Sequence, residues 1–489
     1  MTSQSLFIVR FSADLSTKSG RTRGRFAQVL RRNILAALSQ AGVRARIAQT
    51  HGRLFVFASD EARARAQLGR VFGIANFSHV TARCKADLDD MARTVEAHFA
   101  RTVEGRRYAV RVRRTGHHPF NSVDVERHLG AVLNPHATVD LDNPEVTVHV
   151  EVLRNDAYFF TERAEGAGGL PLGSEGKALA LLSGGFDSAV AAWRIMRRGV
   201  AVDFLFCNLA GGAYERQVIQ VAKVLTDMWA FGGRPRIFVI DFNEVVSDMK
   251  AHVDPALWQV VLKRLMYRAA SSLAGRLRSQ AIVTGEALGQ VSSQTLSNLS
   301  AIEPAADRLV LRPLVGLDKS EIMAQARLIG TALLSERIPE HCALANRSPA
   351  VRSTARAAAA EEAKTDEQAL ERAIAGMRQV DLATVTGAEL RTDYLFVDEV
   401  PEGGQVIDCQ PKAHYDRWHL PGAVNRSPES VIRDMKRFDK RHSYVLYCAF
   451  GTQSAHLAEI MQQYGYQAYA LRGGIGAIRK RHDHDAEPA

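Results

Sequence analysis

Residues 167–340 set the narrowest limits on the fold. Five short apolar runs, "KALALL", "VAVDFLFCNL", "PRIFVIDF", "QAIVTGE" and "RLVLRPL", alternate with helical patterns such as "YERQVIQVAKVLTDMWAF" and "DKSEIMAQARLIG". Runs this apolar suit strands covered on both faces, so the pattern predicts a parallel sheet with helices on either side. The first run stops at Ser183-Gly184-Gly185, and a helical pattern starts with Phe186-Asp187-Ser188. A strand, a glycine-rich turn and a helix together aim backbone N–H groups and a positive helix end at an anion. The glycines let the backbone approach a phosphate closely, and the hydroxyls of Ser183 and Ser188 can donate to its oxygens. Asp187 is an odd neighbour for a phosphate. It fits Mg²⁺, or a charge cluster that includes a cation. An ordinary helix start with Ser or Asp as its cap is the plain alternative. The common G-x-x-x-x-G-K-[ST] loop is excluded, because Gly176-Lys177 has Pro171 in place of the first glycine and Ala178 in place of the hydroxyl.

A chain of 489 residues is too long for one core and predicts three or four domains. No apolar run approaches the ~20 residues of a membrane-spanning helix, so no membrane partner is expected. The N-terminal "MTSQSLFIVRFSADLSTKSG" lacks the features of a secretory signal. The five cysteines, Cys84, Cys207, Cys342, Cys409 and Cys448, are odd in number and widely spread, with no C-x-x-C. That argues against a disulfide framework and a structural zinc site, and for a reducing, cytoplasmic location. No metal-ligand set is expected from the protein.

The net charge of +10 is unevenly placed: residues 1–114 hold 22 Lys and Arg against 8 Asp and Glu, a surplus of 14. Clustered positive charge is the footprint of a polyanion partner, with nucleic acid the leading candidate and solubilising surface charge the alternative.

Residues 1–76 read as a small α+β unit, with "SLFIVRFS" and "RLFVFAS" as strands around the helix "GRFAQVLRRNILAALSQAG". Arg21, Arg23, Arg25, Arg31 and Arg32 fall in the loop and on that helix. In residues 77–166, alternation in "YAVRVRR" puts Tyr108, Val110 and Val112 on one face and Arg111 and Arg113 on the other. Arg114 and His117 in "RTGHHPFNS" add donors at the strand's end, where a loop can grip phosphate. Residues 167–349 form the α/β unit above. Residues 350–392, with "TARAAAAEEAKTDEQALERAIAGM", read as a solvated helical linker without chemistry. Residues 393–483 are again α/β, with strands in "LFVDEV", "QVIDCQP" and "YVLYCAF" and a helix in "TQSAHLAEIMQQYGY". His482 and His484 lie on a polar tail, where a metal site is not expected.

"VRVRRTGHHPFNS" resembles a THUMP domain, an RNA-binding module of tRNA-modifying enzymes. "SGGFDS" resembles the PP-loop of ATP pyrophosphatases, which cleave ATP to AMP and pyrophosphate while adenylating a substrate. With "GAGGLPLGSEGKALALLSGGFDS", "TGEALGQVSSQTLSNL" and "RPLVGLDKSEI", the chain resembles the tRNA 4-thiouridine synthetase (ThiI) family over nearly its whole length. The resemblance implies a multidomain α/β architecture: a ferredoxin-like N-terminal domain, THUMP, an adenine nucleotide alpha hydrolase-like PP-loop domain and a rhodanese-like tail. It implies ATP-dependent sulfur transfer to uridine at position 8 of tRNA, with a cysteine desulfurase as sulfur donor. Some relatives also serve thiamine thiazole synthesis through a sulfur-carrier protein.

Carried onto this sequence, the ATP contacts are Leu181, Leu182, Lys263 in "VLKRLMYRAA", Gly285 in "TGEALGQ" and Gln294 in "SSQT", beside Ser183, Gly184, Gly185 and Ser188. Leu181 and Leu182 can offer backbone groups to a base edge, and Gly285 ends a strand at the carboxyl edge where open α/β sheets bind ligands. Lys263 supplies a cation; its alternative is a surface lysine. Lys319 can neutralise charge on leaving pyrophosphate, with Asp187 organising the adenylation. "VIDCQPKAHYDRWHLPGAVN" and the segment around Cys448 resemble a rhodanese domain. Its loop starts at Cys448, at a strand end running into a helix, where N–H groups and the helix terminus favour a thiolate or persulfide. Many rhodaneses carry Arg where this chain has Gln453, which favours a protein persulfide donor over thiosulfate. Cys342 in "PEHCAL" matches a family cysteine that pairs with the rhodanese cysteine during turnover, giving a Cys342–Cys448 redox disulfide. An incidental thiol is its alternative, and His341 beside it carries no role. Cys84, Cys207 and Cys409 read as structural. The competing function is an RNA-binding persulfide carrier that does not adenylate.

Overall fold

The computed structural model describes residues 4–50, 53–336, 349–387, 389–448, 452–475 and 478–479. The chain divides into two compact units, residues 1–174 with 197–199, and residues 175–196 with 200–489.

The first unit opens with β1 (Ser5–Phe11), α1 (Ala13–Ser16), α2 (Gly20–Gln40), β2 (Ala45–Thr50), β3 (Arg53–Ala58), α3 (Glu61–Leu68) and β4 (Ile74–His79). It continues with β5 (Ala82–Lys85), α4 (Leu88–Val103), β6 (Arg107–Thr115), α5 (Ser122–Leu133), β7 (Thr138–Val139), β8 (Val146–Leu153), β9 (Asp156–Phe160) and β10 (Ala164–Glu165). These strands make two five-stranded sheets, ordered β10-β4-β1-β3-β2 and β5-β9-β8-β6-β7. In α2 the buried Phe26, Leu30, Ile34 and Leu38 recur every four residues and face the sheet, while the five arginines named above are all exposed. The boundary expected at 76/77 falls inside β4, which runs on because β1 continues opposite it, with Phe7 facing His79. β10, beyond the second sheet in sequence, pairs back with β4. Arg10 of β1 is buried and donates from Nε to Glu151 of β8 at 2.8 Å, which ties the two sheets together.

The second unit begins with β11 (Lys177–Leu181), α6 (Phe186–Arg197), β12 (Ala201–Asn208), α7 (Gly212–Trp229), β13 (Arg236–Asp241), α8 (Asn243–His252) and α9 (Trp258–Leu277). Then come β14 (Ala281–Val283), α10 (Leu296–Ile302), β15 (Leu309–Leu311), α11 (Lys319–Ile329), α12 (Ala332–Ser335), α13 (Ala355–Glu362), α14 (Glu367–Ala375) and β16 (Arg378–Asp381). The sheet order is β15-β14-β11-β12-β13-β16. Five strands are parallel, as expected, and β16 adds an antiparallel edge.

That edge strand corrects the reading of 350–392 as a solvated linker. α13 and α14 pack on the domain that precedes them. Ala358 is fully buried and Leu370 joins the core under α8 and α9. Buried Glu362 accepts from Arg264 Nε at 2.5 Å and pairs with Arg268. The stretch looked solvated because it buries small alanines and a paired charge, not a wide apolar stripe.

The remaining elements are β17 (Phe396–Val397), β18 (Gln405–Asp408), α15 (Lys412–Tyr415), β19 (Val424–Asn425), α16 (Pro428–Arg433), β20 (Ser443–Tyr447), α17 (Thr452–Gln463) and β21 (Gln467–Leu471). They form a parallel sheet, β17-β21-β20-β18-β19. Among the described residues no helix is long and apolar enough to cross a membrane.

Candidate nucleotide and sulfur-transfer site

A cavity of about 250 Å³ opens at the carboxyl ends of β11, β12 and β14. Parallel α/β sheets bind ligands at this edge because loops there diverge and helix N-termini converge. Leu181 and Leu182 form one wall, with Ser183, Asp187 and Ser188 beside them. The turn is held from within. Ser188 Oγ accepts from Ser183 N at 3.1 Å and donates to Gly185 O at 3.2 Å, and the two serine hydroxyls lie 3.2 Å apart. Gly184 and Gly185 lie within the turn and not on the wall. Gly184 has φ +80°, a conformation that favours glycine. Tyr214 OH, from the first turn of α7, donates to Ser183 O at 2.7 Å.

Asp187 and Lys319, 132 residues apart, are brought together: Lys319 Nζ donates to both carboxylate oxygens, at 2.9 and 3.2 Å. Lys319 thus gives Asp187 a cationic partner, one of the two surroundings that its place in the turn suggested. α11 presents Lys319 at its first position, fixed by a capping box between Asp318 and Glu321. Gly285 also lines the cavity, and its lack of a side chain is structural as well. A Cβ there would lie 2.6 Å from Asp187 C and from Ser188 N, so the end of β14 packs directly on the start of α6.

Lys263 is half-buried and lines the cavity, which removes the surface-lysine alternative. It faces Glu286, which the sequence pattern did not single out. Glu286 Oε2 accepts from Tyr267 OH at 2.7 Å, Thr284 Oγ1 at 2.9 Å and Arg312 Nε at 2.9 Å. Burial pushes this carboxyl up, but Lys263, Tyr267 and Arg312 together hold it below the usual glutamate value. The result is a buried negative charge beside the cavity lysine. Gln294 completes the lining, its Oε1 accepting from Ala287 N at 3.3 Å. The only hint of Glu286 was an acid at the end of an apolar run in "VTGE". Tyr214 left no local signal. Among the described residues no group of three or more His, Cys, Asp or Glu is placed to hold a metal.

In the last domain Cys448 follows β20 and precedes α17, as expected. It is buried, and its Sγ lies 3.5 Å from Ser454 Oγ. Gln453 is exposed on the first turn of α17. Cys342 and His341 lie outside the described residues, and so does the loop 449–451. Cys409 sits one residue past β18, its N–H donating to Tyr447 O at 2.8 Å. Burial raises the Cys409 thiol and pushes Cys207 up to about 12, which suits their structural reading. Cys84 is half-buried and is also raised, chiefly by burial.

In the first unit, β6 shows the expected alternation, with Tyr108, Val110 and Val112 buried and Arg111 and Arg113 exposed. Arg111 Nη2 donates to Leu141 O at 2.5 Å, and Arg114 Nη1 to Gly116 O at 2.9 Å. His117 is exposed in the loop that follows. Burial, then Arg163, Arg10 and Arg113, push His149 down to about 4. Arg163, half-buried and unmarked by the sequence pattern, adds positive charge near His149.

Residues 6–78 match the ThiI ferredoxin-like domain profile, 85–162 the THUMP domain, 173–367 the profile described as thiamine biosynthesis protein (ThiI), and 396–481 a rhodanese-like domain. A protein of Pyrobaculum aerophilum named tRNA sulfurtransferase is 38% identical over 473 residues, 95% of this chain and 96% of its own length. One of the same name from Pectobacterium carotovorum is 40% identical over 475 residues, 94% and 98% of the two chains. A solved 4-thiouridine synthetase–RNA complex with bound ATP is similar to this structure with a TM-score of 0.67 and 29% identity, covering 77% of this chain and 99% of its own. The two sulfurtransferases align with 94–95% of this chain, and the chain belongs to the ThiI family of tRNA sulfurtransferases.

Proposed function

We infer that this chain is an ATP-dependent tRNA sulfurtransferase that converts uridine at position 8 to 4-thiouridine. The observation that carries this is the Ser183–Ser188 turn, with the Asp187–Lys319 pair at the edge of the cavity. Oxygen on an amide-like carbonyl is a poor leaving group. The reaction therefore starts with attack of uridine O4 on the α-phosphate of ATP, and pyrophosphate leaves. Ser183 supplies a hydroxyl donor to the phosphates and Ser188 braces the turn that presents it, while Lys319, steered by Asp187, neutralises charge that builds on the leaving group. Lys263, beside Glu286, adds a second cation in the cavity lining. Mg²⁺ belongs to the same proposal as ATP's counter-ion. Asp187 is the carboxylate of the turn that would share it with the phosphates, an arrangement Mg²⁺ commonly takes, and its charge would ease phosphate transfer.

The terminal sulfur of a Cys448 persulfide then attacks C4. The C4–O bond breaks, AMP leaves, and uridine is bonded to Cys448 through a disulfide. The Cys342 thiolate attacks Cys448 Sγ, releasing 4-thiouridine and leaving a Cys342–Cys448 disulfide, which a thiol reductant reopens. The persulfide comes from a cysteine desulfurase. The reductant it needs sets the protein in the cytoplasm. The exposed Arg111 and Arg113, with Arg114 and His117, hold tRNA phosphates. The description of the family matched at 173–367 favours a second use of the same persulfide, sulfur supply to a thiamine sulfur-carrier protein.

The test combines purified protein, tRNA, ATP, cysteine and a desulfurase, and measures 4-thiouridine and pyrophosphate. Both should form, and each should require tRNA. Persulfide on Cys448 with no pyrophosphate would point instead to the carrier without adenylation.

A further inference from the structure

The first turn of α7 touches both halves of this chemistry. It lies at the rim of the nucleotide cavity, which Leu209 and Tyr214 line on either side of Gly211. Gly211 caps the helix with φ +82°. On the inner side of the turn, Tyr214 holds Ser183 O, and its ring lies 5.5 Å from Phe206. On the outer side, the same turn meets α17. Ala213 is buried within the core of the rhodanese-like domain. Arg216 Nη2 donates to Glu459 Oε1 at 2.6 Å and to Tyr394 OH at 3.1 Å. The two charged side chains are only 22% and 11% exposed, so the pair is largely withdrawn from water. His456 lies so close to Gly211 that a methyl group there would overlap its ring.

The contact sits at the persulfide end of the domain. Cys448 leads through residues 449–451 into α17, and His456 is the fifth residue of that helix. At 1.5 Å per residue it lies about 6 Å from the helix start. Resting on the sulfurtransferase reading above, we propose that the first turn of α7 seats the rhodanese-like domain on the nucleotide domain. The Arg216–Glu459 pair and His456 against Gly211 then act as positioning groups for sulfur transfer from Cys448 to the adenylated uridine. Two steps should not need this seat. Cys448 takes sulfur from an outside protein, and adenylation uses the cavity alone. Transfer is the step in which the two domains must meet, and misplacing a reacting group by ~1 Å can cost about 100-fold in rate.

The experiment uses the full chain in four forms: wild type, Arg216→Glu, Glu459→Arg and the double reversal R216E/E459R. Three readings are taken. Intact mass reports persulfide on Cys448 after treatment with cysteine and desulfurase. Pyrophosphate release is measured with tRNA and ATP. Single-turnover 4-thiouridine formation is followed from protein already loaded with persulfide. Each single reversal should slow the single turnover ten-fold or more, with loading and pyrophosphate release near wild type. The double reversal should recover most of the rate, which a general loss of folding would not allow. Single variants that transfer at the wild-type rate, or a double reversal that recovers nothing, would overturn the proposal. Wild-type protein that loads sulfur but releases no pyrophosphate would instead overturn the sulfurtransferase reading on which it rests.

Discussion

Replacing Asp187 by Ala separates a catalytic from a structural role for the pair it makes with Lys319. The pair is bonded through both carboxylate oxygens, but its side chains are 24% and 39% exposed. Ion pairs this open to water contribute about 0–1 kcal/mol to stability. At ~2–4 °C of Tm per kcal/mol for a domain of this size, the variant should melt within about 4 °C of wild type. Catalysis should suffer far more. Removing a group that organises charge in a transition state costs ~10²–10³ in rate, about 2.7–4 kcal/mol. Lys319→Met should be worse than Asp187→Ala, because it removes the cation assigned to the leaving pyrophosphate and also leaves the Asp187 carboxylate without its lysine. The assay is tRNA-dependent pyrophosphate release beside a thermal melt and a tRNA-binding titration, with binding close to unchanged in both variants. Pyrophosphate release within three-fold of wild type would refute the catalytic assignment. A fall in Tm above about 10 °C, matching the loss of activity, would make the pair a structural one.

Glu286→Gln should destabilise the second unit by about 3 kcal/mol, since it strips the charge facing Lys263 and Arg312 in a buried network, and thermal unfolding checks this. In wild type that contribution is fully present above the ordinary glutamate range. It is lost as pH falls through the lower folded value, so an acid titration of Tm should show the variant losing less than wild type. Cys448→Ala should lose persulfide and activity together. Cys342→Ala should still load sulfur and release pyrophosphate but turn over slowly. Mass spectrometry after one turnover without reductant should find linked Cys342 and Cys448 peptides in wild type only. Removing Arg111 and Arg113 together should weaken tRNA binding and flatten its salt dependence, by about one in slope for each phosphate that the variant no longer neutralises. An unchanged slope would put tRNA elsewhere.

The parts of this molecule that local chemistry dictates were legible in its sequence. β11 and the Ser183–Ser188 turn announce themselves because apolar run, glycines, hydroxyls and helix adjoin in the chain. Cys448 is legible for the same reason, at a strand–helix junction. What distant segments assemble was not. Glu286 owes its charge state to Lys263, Tyr267 and Arg312, which α9 and the segment after β15 bring to it. Tyr214 reaches the Ser183–Ser188 turn across 31 residues. α13 hid its packing because Ala358 and a paired Glu362 do not look like a core. β16, "RQVD", carries little strand signal, since an antiparallel edge strand is held by the backbone pairing of β13 more than by its own side chains. The Asp187–Lys319 pair was half legible: both residues stood out, but only the fold joins them.

The central claim is that ATP is consumed to turn uridine O4 into a leaving group, and an isotope placed on that oxygen tests it directly. tRNA carrying oxygen-18 at O4 of the target uridine is converted with unlabelled ATP, cysteine and desulfurase, and the AMP is analysed by mass spectrometry. The account predicts that AMP carries the heavy oxygen in proportion to the 4-thiouridine formed. Thiolated tRNA accompanied by unlabelled AMP, or formed with no AMP at all, would contradict it.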